Sequence, residues 1–176
     1  DLLKTAGADR IMSVDLHAAQ SQGFFDGPVD HLIAMPVLVD YIRDRFSNQL
    51  DNVAVVSPDA GRIRVAEQWA QRLGGGPLAF VHKTRDITRP NQAVANRVVG
   101  DVEGKDCVLV DDLIDTAGTI AGACSVLKDA GAKSVTVVAT HGVLSGPAVE
   151  RLKNSGAREV VLTDTVPIPR SEEHTS

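Results

Sequence analysis

Cysteine is scarce in this 176-residue chain: only Cys107 and Cys124 occur. Neither has a C-x-x-C neighbour or a metal-ligand spacing, so a disulfide framework and a zinc site are both excluded, and two reduced core thiols are expected. A basic excess is also missing. Eighteen Lys and Arg stand against 23 Asp and Glu, a formal charge of −5, so nothing global draws the chain to nucleic acid or an anionic membrane, and any anion must be bound locally. No apolar run is long enough to span a bilayer: the longest, Leu32 to Val39, contains Pro36 and falls far short of the roughly 18 residues required. The 15 Gly and 8 Pro are near average usage, which excludes collagen-like and low-complexity readings. What remains is the composition of one ordinary domain, or one domain with part of another.

Buried-strand patterns stand at Val53–Ser57, Leu78–Val81, Val108–Val110, Val135–Ala139 and Glu159–Thr163. Two helical faces lie between them: Ile63, Ala66, Trp69, Ala70 and Leu73, then Ile120, Ala123, Cys124, Leu127 and Ala130. Gly74, Gly131 and Gly156 read as helix stops, and Ser145-Gly146-Pro147 as a start. Alternation of this kind with short connections predicts an α/β fold, a mainly parallel sheet with helices on both faces. Arg10–Asp15 reads as another short strand, set apart by Gly23–His31, which reads as loop and as a candidate domain boundary. Lys83–Asn96 is polar, directly follows a buried strand, and reads as a mobile loop of unusual length, of a kind that is either functional or merely disordered, between which composition alone does not choose.

The strongest chemical signal is Val108-Leu109-Val110-Asp111-Asp112-Leu113-Ile114-Asp115-Thr116-Ala117-Gly118-Thr119, a strand that opens into a helix. Ligands of open parallel sheets sit beyond the strands' carboxyl ends. Small residues from Thr116 to Thr119 let a backbone approach an anion at a helix N-terminus. Asp111 and Asp112 are acceptors, suited to sugar hydroxyls directly or through a metal. A phosphorylated sugar satisfies both halves. No Gly-Lys-[Ser/Thr] follows, so a Walker A loop is excluded. Asp59, after Pro58, reads equally as a helix cap or as a ligand. Asp15 and His17, two residues apart, would share one side of a continuing strand. Arg62 and Arg64 would either line the anion site or face water.

The VLVDDLIDTAGT run resembles the phosphoribosyl-pyrophosphate-binding motif of the type I phosphoribosyltransferase fold. Ser13-Val14-Asp15-Leu16-His17 with Gln22-Gly23-Phe24-Phe25, Val56-Ser57-Pro58-Asp59-Ala60-Gly61 and His82-Lys83-Thr84-Arg85 narrow the resemblance to the ribose-phosphate pyrophosphokinase (phosphoribosyl pyrophosphate synthetase) family. The resemblance implies that Lys83 and Arg85 form a catalytic loop, with Arg85 also contacting ribose 5-phosphate. It further implies that Asp111 and Asp112 meet the ribose hydroxyls, that Asp115, Thr116, Ala117, Gly118 and Thr119 hold the 5-phosphate, and that His17 and Asp59 are ligands of Mg2+. ATP and ribose 5-phosphate are the implied substrates, in a cytoplasmic homo-oligomer, a hexamer in the family, with no nucleic acid and no membrane as partners.

Ala117 departs from the glycine of many relatives, which matters if that residue needs positive φ. The family's FANGE and RQD segments do not occur, so residues 1–30 are expected to be the remnant of an N-terminal ATP-contributing domain. Residues 31–169 are then the phosphoribosyltransferase-like domain, and 170–176 an adapter-like tail outside the fold. An ordinary nucleobase phosphoribosyltransferase and a non-catalytic regulatory relative are the alternatives.

Overall fold

The computed structural model describes residues 2–84 and 95–168, with only the backbone of 83–84 and 95–96. In chain order the elements are α1 (Leu2–Thr5), β1 (Ile11–Val14), β2 (Val29–Leu32), α2 (Met35–Arg45), β3 (Val53–Ser57), α3 (Ile63–Leu73), β4 (Leu78–Thr84), β5 (Ala95–Val99), β6 (Asp106–Ile114), α4 (Gly118–Asp129), β7 (Ser134–Gly142), α5 (Ala148–Asn154) and β8 (Glu159–Leu162). Short 3-10 turns precede β3 and α3 and follow β1.

A six-stranded sheet runs β5-β4-β3-β6-β7-β8, parallel at every junction except β4 with β5. Because side chains alternate across a strand, the two faces divide by parity. Val53, Val55, Val108, Val110 and Val138 pack under α2 and α3 with Ile42, Trp69 and Leu73. Ala54, Val56, Cys107, Leu109, Val135 and Val137 pack under α4 and α5 with Ile120, Cys124 and Leu127. Strands buried on both faces read as continuous β-branched runs, which is why β3, β6 and β7 are recognisable; β8, half-buried at the sheet edge, keeps the run Val160-Val161-Leu162. Burial pushes the Cys107 thiol up to about 12 and the Cys124 thiol up to about 11.

Several expectations need correction. The segment 23–31 is not all loop: β2 begins at Val29 and pairs in parallel with β1, Ile11 opposite Val29. This small sheet is tied to the large one, since the Asp15 carboxylate accepts from the Ala34 amide at 3.1 Å and the Thr140 hydroxyl at 2.6 Å. The polar stretch from Lys83 is also partly ladder. β4 continues through Thr84 and β5 starts at Ala95, with Lys83 opposite Asn96; the intervening 85–94 lie outside the described residues. Helix α2 was not anticipated, although Met35, Leu38, Val39 and Ile42 form its buried face. Gly100, just after β5, has φ +116°, and a Cβ there would lie 2.7 Å from the Leu78 carbonyl oxygen; only glycine suits that turn.

Asp106 opens β6 at 1% exposure. It accepts from Lys133 Nζ at 2.9 Å, Ser134 Oγ at 2.6 Å and Asn52 Nδ2 at 3.4 Å. Burial opposes its ionisation, but these donors outweigh it and hold the carboxyl below its ordinary value. A depressed folded value means stability that is present above the ordinary carboxylate range and lost as pH falls through it. Asp106→Asn is therefore expected to cost about 1–3 kcal/mol at pH 7, with the difference from the parent shrinking toward zero in acid; urea melts at neutral and low pH check both.

Candidate functional site

β3 and β6 are neighbours, yet the crossover from β3 leads to β4 on one side and that from β6 leads to β7 on the other. Their carboxyl ends therefore diverge, the geometry that leaves a ligand crevice in an open α/β sheet. A cavity of about 210 Å³ lies there, lined by Asp59 and Arg62 beyond β3, by His17, and by residues 111–120 from β6 into α4.

The loop between β6 and α4 is shaped by one torsion. Ala117, at the N-cap of α4, adopts φ +57° and ψ +12°, the left-handed region, so the condition that makes its departure from glycine matter is met. An L-residue there is strained by roughly 1–2 kcal/mol. The Ala117 methyl, however, is 4% exposed in the cluster with Ile114 and Ile120, and burying it offsets about 0.8 kcal/mol. Among the described residues, the amides of Ala117, Gly118 and Thr119 have no hydrogen-bond partner. Free amides at a helix start, with the positive end of its dipole, form an anion-binding feature.

Beside them stands an acidic pair. β6 runs through to Ile114, pairing with β7 at Asp111–Ala139 and Ile114–Gly142, so Asp111 and Asp112 lie within the strand rather than beyond its end. Asp112 Oδ2 accepts from an Arg62 terminal nitrogen at 2.7 Å. His17 Nδ1 lies 2.9 Å from the same oxygen and 2.6 Å from that Arg62 nitrogen. One ring nitrogen cannot serve both: protonated, it donates to Asp112; unprotonated, it accepts from Arg62. Asp111 Oδ1 accepts from the Asp112 amide at 2.9 Å. Burial first, then its hydrogen bond with Asp112, pushes Asp111 up to about 7. Burial acts on Asp112 too, but the hydrogen bond from Asp111 and the charge and hydrogen bond of Arg62 hold it below the ordinary carboxylate range.

The structure thus brings together His17, Asp59, Asp111, Asp112, Asp115, Thr116, Ala117, Gly118 and Thr119. Asp59 is a cap, accepting from the Gly61 amide at 2.8 Å, and lines the cavity as well. Lys83 is on β4, whose carboxyl end lies at the same sheet edge; its side chain and all of Arg85 lie outside the described residues. Asp15 does not share a strand side with His17, because β1 stops at Val14 and Asp15 has φ +40°. Arg62, left open between anion site and water, lies in the cavity, whereas Arg64 is exposed. Its signal was its place just after Gly61 at a helix entry. His141 bridges segments of the fold: Nε2 donates to the Val14 carbonyl at 2.9 Å, and Nδ1 is hydrogen-bonded with the Thr165 hydroxyl at 2.8 Å.

Residues 82–174 match the family model described as phosphoribosyl synthetase-associated domain, more than half of the chain. The chain belongs to the phosphoribosyl synthetase-associated domain family. A relative from Bifidobacterium longum, named ribose-phosphate pyrophosphokinase, is 94% identical over 172 residues, 98% of this chain and 51% of its own length. The crystal structure of phosphoribosylpyrophosphate synthetase from Mycobacterium smegmatis superposes with a TM-score of 0.88 at 59% identity, covering 97% of this chain and 54% of that one. Orotate phosphoribosyltransferase from Aeropyrum pernix matches at a TM-score of 0.55 and 28% identity, over 73% of this chain and 70% of that one. The chain spans about half the length of the curated relatives it matches. The type I phosphoribosyltransferase-like fold expected for this family member is the fold observed.

The raised Asp111 value carries a stability consequence. The folded chain binds this proton more tightly than the unfolded chain, so stability falls as pH rises from the ordinary carboxylate value toward about 7. Asp111→Asn, which keeps the Oδ1 acceptor, is expected to raise the melting temperature at pH 8 while leaving it nearly unchanged at pH 4.5. Equal shifts at both pH values would show that the proton is not held there.

Proposed function

We propose that the full protein carrying this chain is a ribose-phosphate diphosphokinase, which transfers the pyrophosphoryl group of Mg-ATP to the anomeric hydroxyl of ribose 5-phosphate. The observation that carries the reading is the junction, in one cavity, of amides at the start of α4 that have no partner among the described residues with the Asp111–Asp112 pair. The name of the 94% identical relative supports the same reaction.

The 5-phosphate accepts hydrogen bonds from the amides of Ala117, Gly118 and Thr119 and from the hydroxyls of Thr116 and Thr119. Asp115 frames the loop, and the furanose hydroxyls donate to Asp111 and Asp112. The chemistry is in-line displacement: the anomeric oxygen forms a bond to the β-phosphorus, the bond from β-phosphorus to the bridging oxygen of the α-phosphate breaks, and AMP departs with that electron pair. The hydroxyl proton is released to solvent. Positioning and charge stabilisation are most of what such a transfer asks of a protein. Lys83, near the end of β4, and Arg85 supply positive charge for the transferring group.

Mg2+ keeps several waters and takes one or two carboxylates together with substrate phosphates. Asp59, a carboxylate lining the cavity, fits that demand. Among the described residues no group of three or more His, Cys, Asp or Glu is placed to hold a metal ion. Asp59 and His17 are the residues that would hold it, and it would supply neutralisation of phosphate charge. The setting we propose is a cytoplasmic homo-oligomer without nucleic-acid partners.

Supplying ATP and ribose 5-phosphate to the full-length protein is expected to yield AMP only when both are present. Nucleotide formation from a nucleobase and phosphoribosyl pyrophosphate, with no AMP from ATP, would overturn the reading in favour of a phosphoribosyltransferase. Lys83→Ala is expected to lower turnover by about 10²-fold or more while ribose 5-phosphate affinity, read by calorimetry, stays within about threefold.

A further inference from the structure

The carbonyls of the β6–α4 loop are held from behind by a single stretch of chain. Ile114 carbonyl oxygen accepts from the amides of Val143 and Leu144 at 3.0 and 3.1 Å, and that of Asp115 accepts from the Ser145 amide at 3.0 Å. The next carbonyl, Thr116, accepts from a side chain: an Arg151 terminal nitrogen at 2.9 Å. Arg151 lies on α5, one turn beyond Ala148, which is fully buried against the core, and beside Leu152, which packs on the same cluster. Its backbone is therefore anchored. Its guanidinium reaches the loop across the open groove between α4 and α5, which also holds Ala121 and Lys128.

A peptide unit is planar and trans, so its C=O and N–H point in opposite directions. Fixing the Thr116 carbonyl toward Arg151 therefore fixes the Ala117 N–H on the opposite side. We propose that Arg151 is a positioning residue: by holding the Thr116 carbonyl from outside the cavity, it orients the Thr116–Ala117 peptide so that the Ala117 amide faces the ligand's phosphate. Donors aimed in advance lose no reorganisation on binding, and Ala117, an L-residue in the left-handed region, has reason to relax if the carbonyl is released. The inference rests on the reading of this cavity as the ribose 5-phosphate site.

The test uses the full-length protein and its Arg151→Ala and Arg151→Lys variants. Ribose 5-phosphate affinity is measured by calorimetry at low and high KCl, KM for ATP by steady-state kinetics, and the Ala117 amide by 15N NMR. Arg151→Ala is expected to weaken ribose 5-phosphate binding by about three- to tenfold, the scale of one exposed hydrogen bond to a charged donor. KM for ATP should stay within about twofold. The Ala117 amide resonance should shift in the ligand-free state, and Arg151→Lys, which keeps a donor, should restore part of the affinity. Unchanged ribose 5-phosphate affinity in Arg151→Ala would overturn the inference while leaving the site reading intact. A defect that disappears at high salt would also overturn it, since long-range charge attraction is screened and a fixed peptide orientation is not. No binding by the unaltered protein would instead remove the site reading, and the inference with it.

Discussion

Three successive amides at the start of α4 lack partners within the described chain, as first-turn donors do where no side chain caps them, and the torsion of Ala117 sets where the chain turns into that helix. A left-handed residue at the N-cap turns the chain sharply out of β6 and into the helix. The first-turn donors are then presented to the crevice rather than folded onto neighbouring carbonyls. The rest of the arrangement follows from keeping that turn in place. The Ala117 methyl is buried in the core, the carbonyls before it are gripped by residues 143–145 and Arg151, and α4 packs through Ile120, Cys124 and Leu127 under the sheet. In a chain with an overall charge of −5, these backbone dipoles form a small region favourable to anions.

The acidic pair next to that region is a local conflict, and such conflicts tend to mark functional positions. Two carboxylates on adjacent residues of a central strand do nothing for the sheet. Burial keeps Asp111 from ionising readily, while Arg62 and His17 gather around Asp112. The sheet tolerates the pair because the backbone of both residues continues the β6–β7 register, leaving only their side chains to be accommodated.

How much of this could be read from the amino acids alone follows from the range of the forces involved. β3, β6, β7, β8, α3 and α4 announced themselves because each is set by local pattern: β-branched runs, a 3.6-residue apolar stripe, glycine where the helix stops. β5 and the second half of β4 did not, since an antiparallel edge pair can be polar and needs only backbone partners. The far end of β6 was hidden for the same reason, its polar residues looking like the beginning of a loop. In the site, the small-residue run and the aspartates were visible as a motif. The contact of Arg62 with Asp112, and the hold of Arg151 on Thr116, join segments distant in sequence and leave no periodic trace.

The two cysteines lie on opposite sides of one layer boundary, Cys107 in the sheet and Cys124 on the helix above it, both fully buried. With their thiols pushed up to about 12 and about 11, almost none of either is thiolate at neutral pH, and only the thiolate attacks electrophiles or oxidants. The two native thiols are in this sense silent toward alkylating reagents and peroxide. A cysteine introduced on its surface would be the one reactive sulfhydryl, which makes the domain a ready host for single-site labels.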